Sequence, residues 1–182
     1  MTALPKHRMT VDEFLAWNDE VLGRYELLDG QVYEMQSERL GHARIKLNVH
    51  LALSAAITQA GAACHVLPDG MLVPVDDKSG FEPDALVYCG APLADDTIKV
   101  VNPVIVVEVL SPSTRHIDLS HKFIGYFRVQ SIHHYLIVDQ GKQTIVHHAR
   151  QKDGTILSKL VSTGLIKLDP PGLEISIDGL LK

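Results

Sequence analysis

The sequence predicts a mixed α/β or α+β fold in a single domain. A length of 182 residues suits one domain and is short for two. An apolar content of 46% against 21% charged residues is enough for one sizeable core. Helix-period and strand-period segments follow one another in the order helix, hairpin, helix, several strands, helix, further strands.

The first helix is expected from Met9 to Trp17. Thr10 stands three residues before Glu13, the spacing of a capping box. From Arg24 to Met35, two alternating segments flank Asp29-Gly30, a strong short-range hairpin signal. From Gly41 to Ala60 the period becomes helical. Ile45, Val49, Ala52, Leu53, Ala56, Ile57 and Ala60 form one apolar face, beside a polar stripe of His42, Lys46, His50 and Ser54. Gly61 is a natural stop. Strands are expected at Cys64–Leu67, Met71–Val75, Pro83–Tyr88 and Pro103–Leu110, separated by turn material that includes Asp76–Gly80. A further helix spans about Asp118 to Val129, with Phe123, Ile124 and Phe127 available for burial. The remaining strands are His134–Val138, Thr144–Ala149, Ile156–Val161 and Leu173–Ile177.

The net charge of −5 disfavours an indiscriminate nucleic-acid coat, which is normally basic. The acidity is concentrated: Asp69, Asp76, Asp77, Glu82, Asp84, Asp95 and Asp96 stand against Lys78 alone in that stretch. Apolar runs fall far short of the roughly 18 residues of a membrane-spanning helix, and no leader is visible. Cys64 and Cys89 are the two cysteines, which argues against a disulfide scaffold or zinc ribbon. A soluble cytoplasmic protein with no membrane partner is the expectation.

The segment from Asn102 to Pro112 reads as a strand buried on both faces, and Glu108 interrupts it. Alternation places Val104, Val106, Glu108 and Leu110 on one face. A carboxylate there needs a partner cation, hydrogen bonds or a metal. Asp84 follows Pro83 at the start of another strand; alone it reads as a turn aspartate. If the two strands pair, Asp84 and Glu108 converge, and a hard divalent ion resolves the repulsion, Mg2+ first and Mn2+ second. Asp118, Lys122 and Tyr126 form one stripe of the following helix at four-residue steps. The bland account of that stripe is a solvated ion pair. His133-His134 and His147-His148 lack metal-motif spacing and read as structural.

Several strings carry a resemblance: Arg24-Tyr-Glu-Leu-Leu-Asp-Gly30, His42 at the helix start, Glu82-Pro-Asp84, Val107-Glu-Val-Leu-Ser-Pro-Ser-Thr114, the Asp118–Lys122–Tyr126 stripe, and Tyr135-Leu-Ile-Val-Asp139. In this order they resemble the bacterial putative restriction endonuclease family of the PD-(D/E)XK nuclease superfamily. The resemblance implies a restriction endonuclease-like core, a mixed β-sheet flanked by helices, with the N-terminal helix and β-hairpin added to it. It matches Asp84 and Glu108 to the motif's metal-binding acids. Leu110 stands where the superfamily's lysine belongs, and the resemblance transfers that role to Lys122. Glu26, His42, Asp118 and Tyr126 are supporting pocket residues by position. The implied activity is Mg2+-dependent endonucleolytic hydrolysis of DNA, by a homodimer. Two other readings stand beside it: a catalytically inactive nuclease-fold module that binds nucleic acid or protein, and a structural domain in which Glu108 and Lys122 form an internal salt bridge.

Overall fold

The structure, a computed structural model, describes residues 4–35, 37–110 and 119–181. Helix α1 (Val11–Asp19) begins with the expected capping box: Glu13 N–H donates to Thr10 Oγ1, and Thr10 N–H donates to Glu13 Oε2 at 2.8 Å. Strands β1 (Tyr25–Leu28) and β2 (Gln31–Glu34) form the hairpin. Its two turn residues, Asp29 and Gly30, have φ of 49° and 78°, the left-handed pair that a type I′ turn requires.

Strands β4 (Val73–Asp76) and β5 (Ser79–Phe81) complete a four-stranded sheet in the order β2-β1-β5-β4. The sequence reads the β5 region as part of a turn. Only the turn Asp76–Lys78 is tight, and Gly80 pairs with Leu27, more than fifty residues away in the chain. A strand of three residues owes its existence to that distant partner rather than to local propensity.

The second sheet has six strands in the order β10-β9-β8-β7-β6-β3. They are β3 (Cys64–Pro68), β6 (Ala85–Cys89), β7 (Pro103–Val109), β8 (His134–Asp139), β9 (Thr144–Arg150) and β10 (Ile156–Val161). All neighbours are antiparallel except β7 and β8, which are parallel and are joined across the sheet face by α3 (Leu119–Arg128). Helix α2 (Leu40–Ala60), closed by Gly61 in the left-handed region, covers the opposite face.

The sheet therefore has two cores. On the α2 side, Ile45, Val49, Leu53 and Ala56 pack on Val87, Ile105, Val107 and Leu136. A final hairpin of β11 (Leu165–Leu168) and β12 (Leu173–Ser176) closes this side with Ile166, Leu168, Leu173 and Ile175. On the α3 side, Tyr126 packs with Phe81, Leu86, Val106, Tyr135 and Ile137. Val104 departs from its expected face and joins the α2 side. The β6–β7 register shifts between Val87 and Tyr88, so β7 carries one extra residue there and its alternation slips.

Helix α3 also differs from expectation. Ile124 is 54% exposed, Phe123 and Phe127 are partly buried, and Tyr126 is fully buried in their place. The face turned to the sheet runs through Lys122, Gly125 and Tyr126. A Cβ on Gly125 would lie 2.7 Å from Phe81, so the glycine sets how closely α3 approaches β5. Arg150 on β9 ties down the end of α3, donating to the carbonyls of Phe127, Val129 and Ile132. Cys64 and Cys89 face each other across β3 and β6 and are joined as a disulfide, a cross-link that the reading of the two cysteines as arguing against a disulfide scaffold did not anticipate. Among the described residues, no helix is long and apolar enough to cross a membrane.

Candidate active site

Polar side chains converge where β6 begins and β7 ends, between α2 and α3. Alternation in β1 turns Tyr25 and Leu27 toward α1, which leaves Glu26 facing α3. On β7, Ile105, Val107 and Val109 face α2, so Glu108 faces α3. There Lys122 Nζ lies 3.0 Å from Glu108 Oε1 and 2.8 Å from Glu26 Oε1. Tyr126 Oη donates to the same Glu108 oxygen at 2.6 Å. The four-residue step from Lys122 to Tyr126 thus delivers both groups to one carboxylate. Glu26 also accepts from the Glu82 backbone N–H at 2.9 Å, which couples the hairpin to the segment before β6.

Asp84 stands just ahead of β6, after Pro83, as the sequence predicts. Its Oδ2 accepts from the backbone N–H of Val109 at 2.6 Å, so its carboxylate is fastened to the residue next to Glu108. Asp84 then faces α2. Lys46 Nζ lies 3.3 Å from Asp84 Oδ1 and 2.7 Å from Asp69 Oδ2, and it also contacts Glu38. His42 Nε2 is 2.8 Å from the Val109 carbonyl and 3.7 Å from Asp84 Oδ2. Arg24 bridges Asp69 and Glu82, with Nη2 2.9 Å from Glu82 Oε2.

The site therefore gathers Glu26, His42, Asp84, Glu108, Lys122 and Tyr126 into two joined clusters, one on each side of the sheet end. Asp118 lies outside the described residues. Sequence reasoning did not single out Arg24, Glu38, Lys46, Asp69 or Glu82 as members. A signal existed for two of them: Glu38, His42 and Lys46 are spaced by four, and the polar stripe on α2 already contained the last two.

The electrostatics are those of crowded acids. Burial pushes the Glu108 carboxyl up to about 8. The Lys122 ammonium pulls it down, while the charges of Asp84 and Glu26 push it further up. The Tyr126 hydroxyl is raised by burial first and by Glu108 second. On the α2 side, Asp69 stays low because hydrogen bonds and charges from Lys46 and Arg24 outweigh its burial. A carboxylate-rich cluster short of positive charge suits a divalent ion. Among the described residues, Glu38, His42 and Asp84 place one potential ligand atom each within 4.8 Å of one another, and His42 Nδ1 is buried without a hydrogen-bond partner. Asp84 belongs to this triplet, and its charge also reaches Glu108 on the α3 side.

The Uma2 family model, described as "Putative restriction endonuclease", matches residues 11–178. The chain belongs to this family. Among its relatives are two from Synechocystis: the uncharacterized protein slr1290 is 26% identical over 96% of this chain and 92% of its own length. The uncharacterized protein sll1609 is 26% identical over 80% of this chain and 82% of its own. A crystal structure of a putative nuclease belonging to DUF820, from Anabaena variabilis, superposes with a TM-score of 0.75. It covers 95% of this chain and 97% of that one at 16% identity, which establishes a shared fold. Membership of Uma2 places the chain in a family described as putative restriction endonucleases, and the Anabaena variabilis protein shares its fold.

Proposed function

We propose that this Uma2 chain is a metal-dependent endonuclease that hydrolyses phosphodiester bonds in DNA in the cytoplasm, with Asp84 and Glu108 holding Mg2+ (or Mn2+) and Lys122 assisting. The carrying observation is Glu108: a half-buried acid, crowded by Asp84 and Glu26, with Lys122 at 3.0 Å. A divalent ion between such acids neutralises phosphate charge and eases deprotonation of the attacking water. The residues do the rest. Val109 N–H orients Asp84, and Tyr126 orients Glu108 through one oxygen, leaving the other for a ligand. Lys122, 5% exposed, presents an ammonium to a phosphate that enters the pocket and stabilises charge developing on it. Glu26 shares that ammonium and sets its position. Lys46 holds Asp84 from the α2 side. The homodimer of the resemblance is part of the proposal, and Leu40, Leu47 and Leu51, exposed along α2, are an apolar seam consistent with it.

A second reading is supported by the same ion pairs. Because Lys122 neutralises Glu26 and Glu108 while Lys46 neutralises Asp84, the cluster is also a self-contained structural network on a non-catalytic module. Nicking of supercoiled DNA with Mg2+, Mn2+ or EDTA separates the two. Metal-dependent nicking that disappears in Asp84→Ala, Glu108→Ala and Lys122→Ala is the expected result. Nicking retained by Glu108→Ala overturns the assignment. Absence of nicking combined with salt-sensitive DNA binding establishes the binding module instead.

A further inference from the structure

The proposed cleavage leaves unused a cavity of about 280 Å3 at the opposite end of the six-stranded sheet. Register defines its floor. His134 pairs with Ala149, and His147 pairs with Lys159, so these side chains share the α2-side face of β8, β9 and β10. Lys152, Lys167 on β11, and Asp169 complete the rim. His134 lies at the start of β8 and is aligned with Ile105, whereas Glu108 is aligned with Ile137 further along. The two sites thus lie toward opposite ends of the parallel pair.

Three features distinguish this cavity from ordinary surface. Three lysines face one aspartate in a chain whose net charge is −5. Arg150 also borders the cavity, but its guanidinium is committed to the end of α3. The floor is built rather than incidental: His134 is 3% exposed, and its Nδ1 lies 2.9 Å from His147 Nε2, so one imidazole donates to the other. The backbone of Asp169 and Pro170 also hydrogen-bonds to the His134 imidazole, which ties the rim to the floor. The imidazole pair is a fixed, neutral floor, and the lysines around it supply the charge that an anion needs. The Lys167 contact with Glu174 is 3.2 Å between two exposed side chains, weak enough for an anion to compete with it.

We propose that this cavity is an anion site that takes a phosphate group, held by Lys159 and Lys167 above the His134–His147 pair. The phosphate is either that of a free nucleotide or one in a nucleic-acid backbone lying across the molecule away from the cluster around Glu108. Lys159 is fixed by its strand opposite His147, while Lys152 and Lys167 reach in from the rim.

The test is carried out in EDTA, so that it does not depend on cleavage. The full chain, with 15N-labelled imidazoles, is titrated with inorganic phosphate, with thymidine 5′-monophosphate and with a short duplex, and the same is done for Lys159→Glu/Lys167→Glu. Both substituted positions are exposed, and unchanged thermal melting confirms that the variant folds. Saturable shifts of the His134 and His147 ring nitrogens, weakened at least tenfold in the variant, are expected. A parallel loss of duplex affinity assigns the phosphate to a backbone. Unchanged duplex affinity with lost phosphate and nucleotide binding assigns it to a free phosphate. Absence of saturable shifts with all three probes, or equal affinities in the two proteins, overturns the site.

Discussion

Glu108 is held between opposing influences: burial and two neighbouring acids resist its ionisation, while Lys122 and Tyr126 favour it. Substitutions there separate charge from shape. Glu108→Gln keeps a hydrogen-bond acceptor for Tyr126 but removes the charge, and it is expected to abolish metal-dependent nicking while the protein melts cooperatively. Lys122→Met keeps the stem and is expected to lower the nicking rate by about 10²–10³-fold, measured at saturating metal. Tyr126→Phe removes one buried donor and should cost about 0.5–1.5 kcal/mol in urea unfolding. Glu108 and Asp84 were legible because an acid in a β-branched run and an acid after proline break a local pattern. Lys46 carries no such mark. A lysine on a helix is ordinary, and its 9% exposure reflects Asp69 and Asp84 arriving from other parts of the chain.

Elements place these groups, and close packing fixes the elements. Gly125 lets α3 rest on Phe81, so Gly125→Ala must push the helix outward or displace the ring. A loss of about 1–3 kcal/mol is expected from chemical denaturation, together with slower nicking, since Lys122 and Tyr126 move with the helix. At the N-terminus, Thr10→Ala removes the capping box and should cost about 0.5–2 kcal/mol without altering nicking. Elements with a strong local period were readable: α2 with its closing glycine, the Asp29-Gly30 hairpin, β7, and the helix that follows it. The ones that escaped are short or context-made. Strand β5 needs β1, and β11 is four residues whose Ile166 and Leu168 become core only once α2 is underneath. The slip of Val104 is a register event between two strands, and neither strand shows it alone.

Over the whole molecule, charge decides two responses. Burial lowers His134 and His147 to about 4, aided by the neighbouring imidazole in the first case and by Lys159 in the second. An unfolded imidazole titrates near 6.5. Between these values the unfolded chain binds more protons, so stability rises with pH across that window. This contribution is complete above about 6.5 and is lost as the pH falls toward 4. Melting temperatures measured across that interval should climb with pH, and the climb should flatten in His134→Leu/His147→Leu. The second response concerns the acids of the candidate active site, which already have Lys46 and Lys122 as internal counter-charges. Chelation is therefore expected to silence nicking and to leave the melting temperature nearly unchanged. The mild overall acidity was legible from composition, but its partition into an acid-rich pocket and a lysine-lined cavity at the other end of the sheet required the fold.

Arg150 borders the lysine-lined cavity, yet its guanidinium secures the end of the helix that carries Lys122. Glu26 and Glu108 ride on strands, whereas Lys122 rides on a helix that can open at a free energy below that of global unfolding. Arg150→Ala should accelerate amide hydrogen exchange in Phe123–Arg128 while the amides of β7 and β8 stay protected. Nicking should slow in proportion to the fraction of time α3 spends detached, with metal affinity unchanged. One guanidinium on β9 thereby acts as a latch, setting how often the cationic and anionic halves of the site are assembled together.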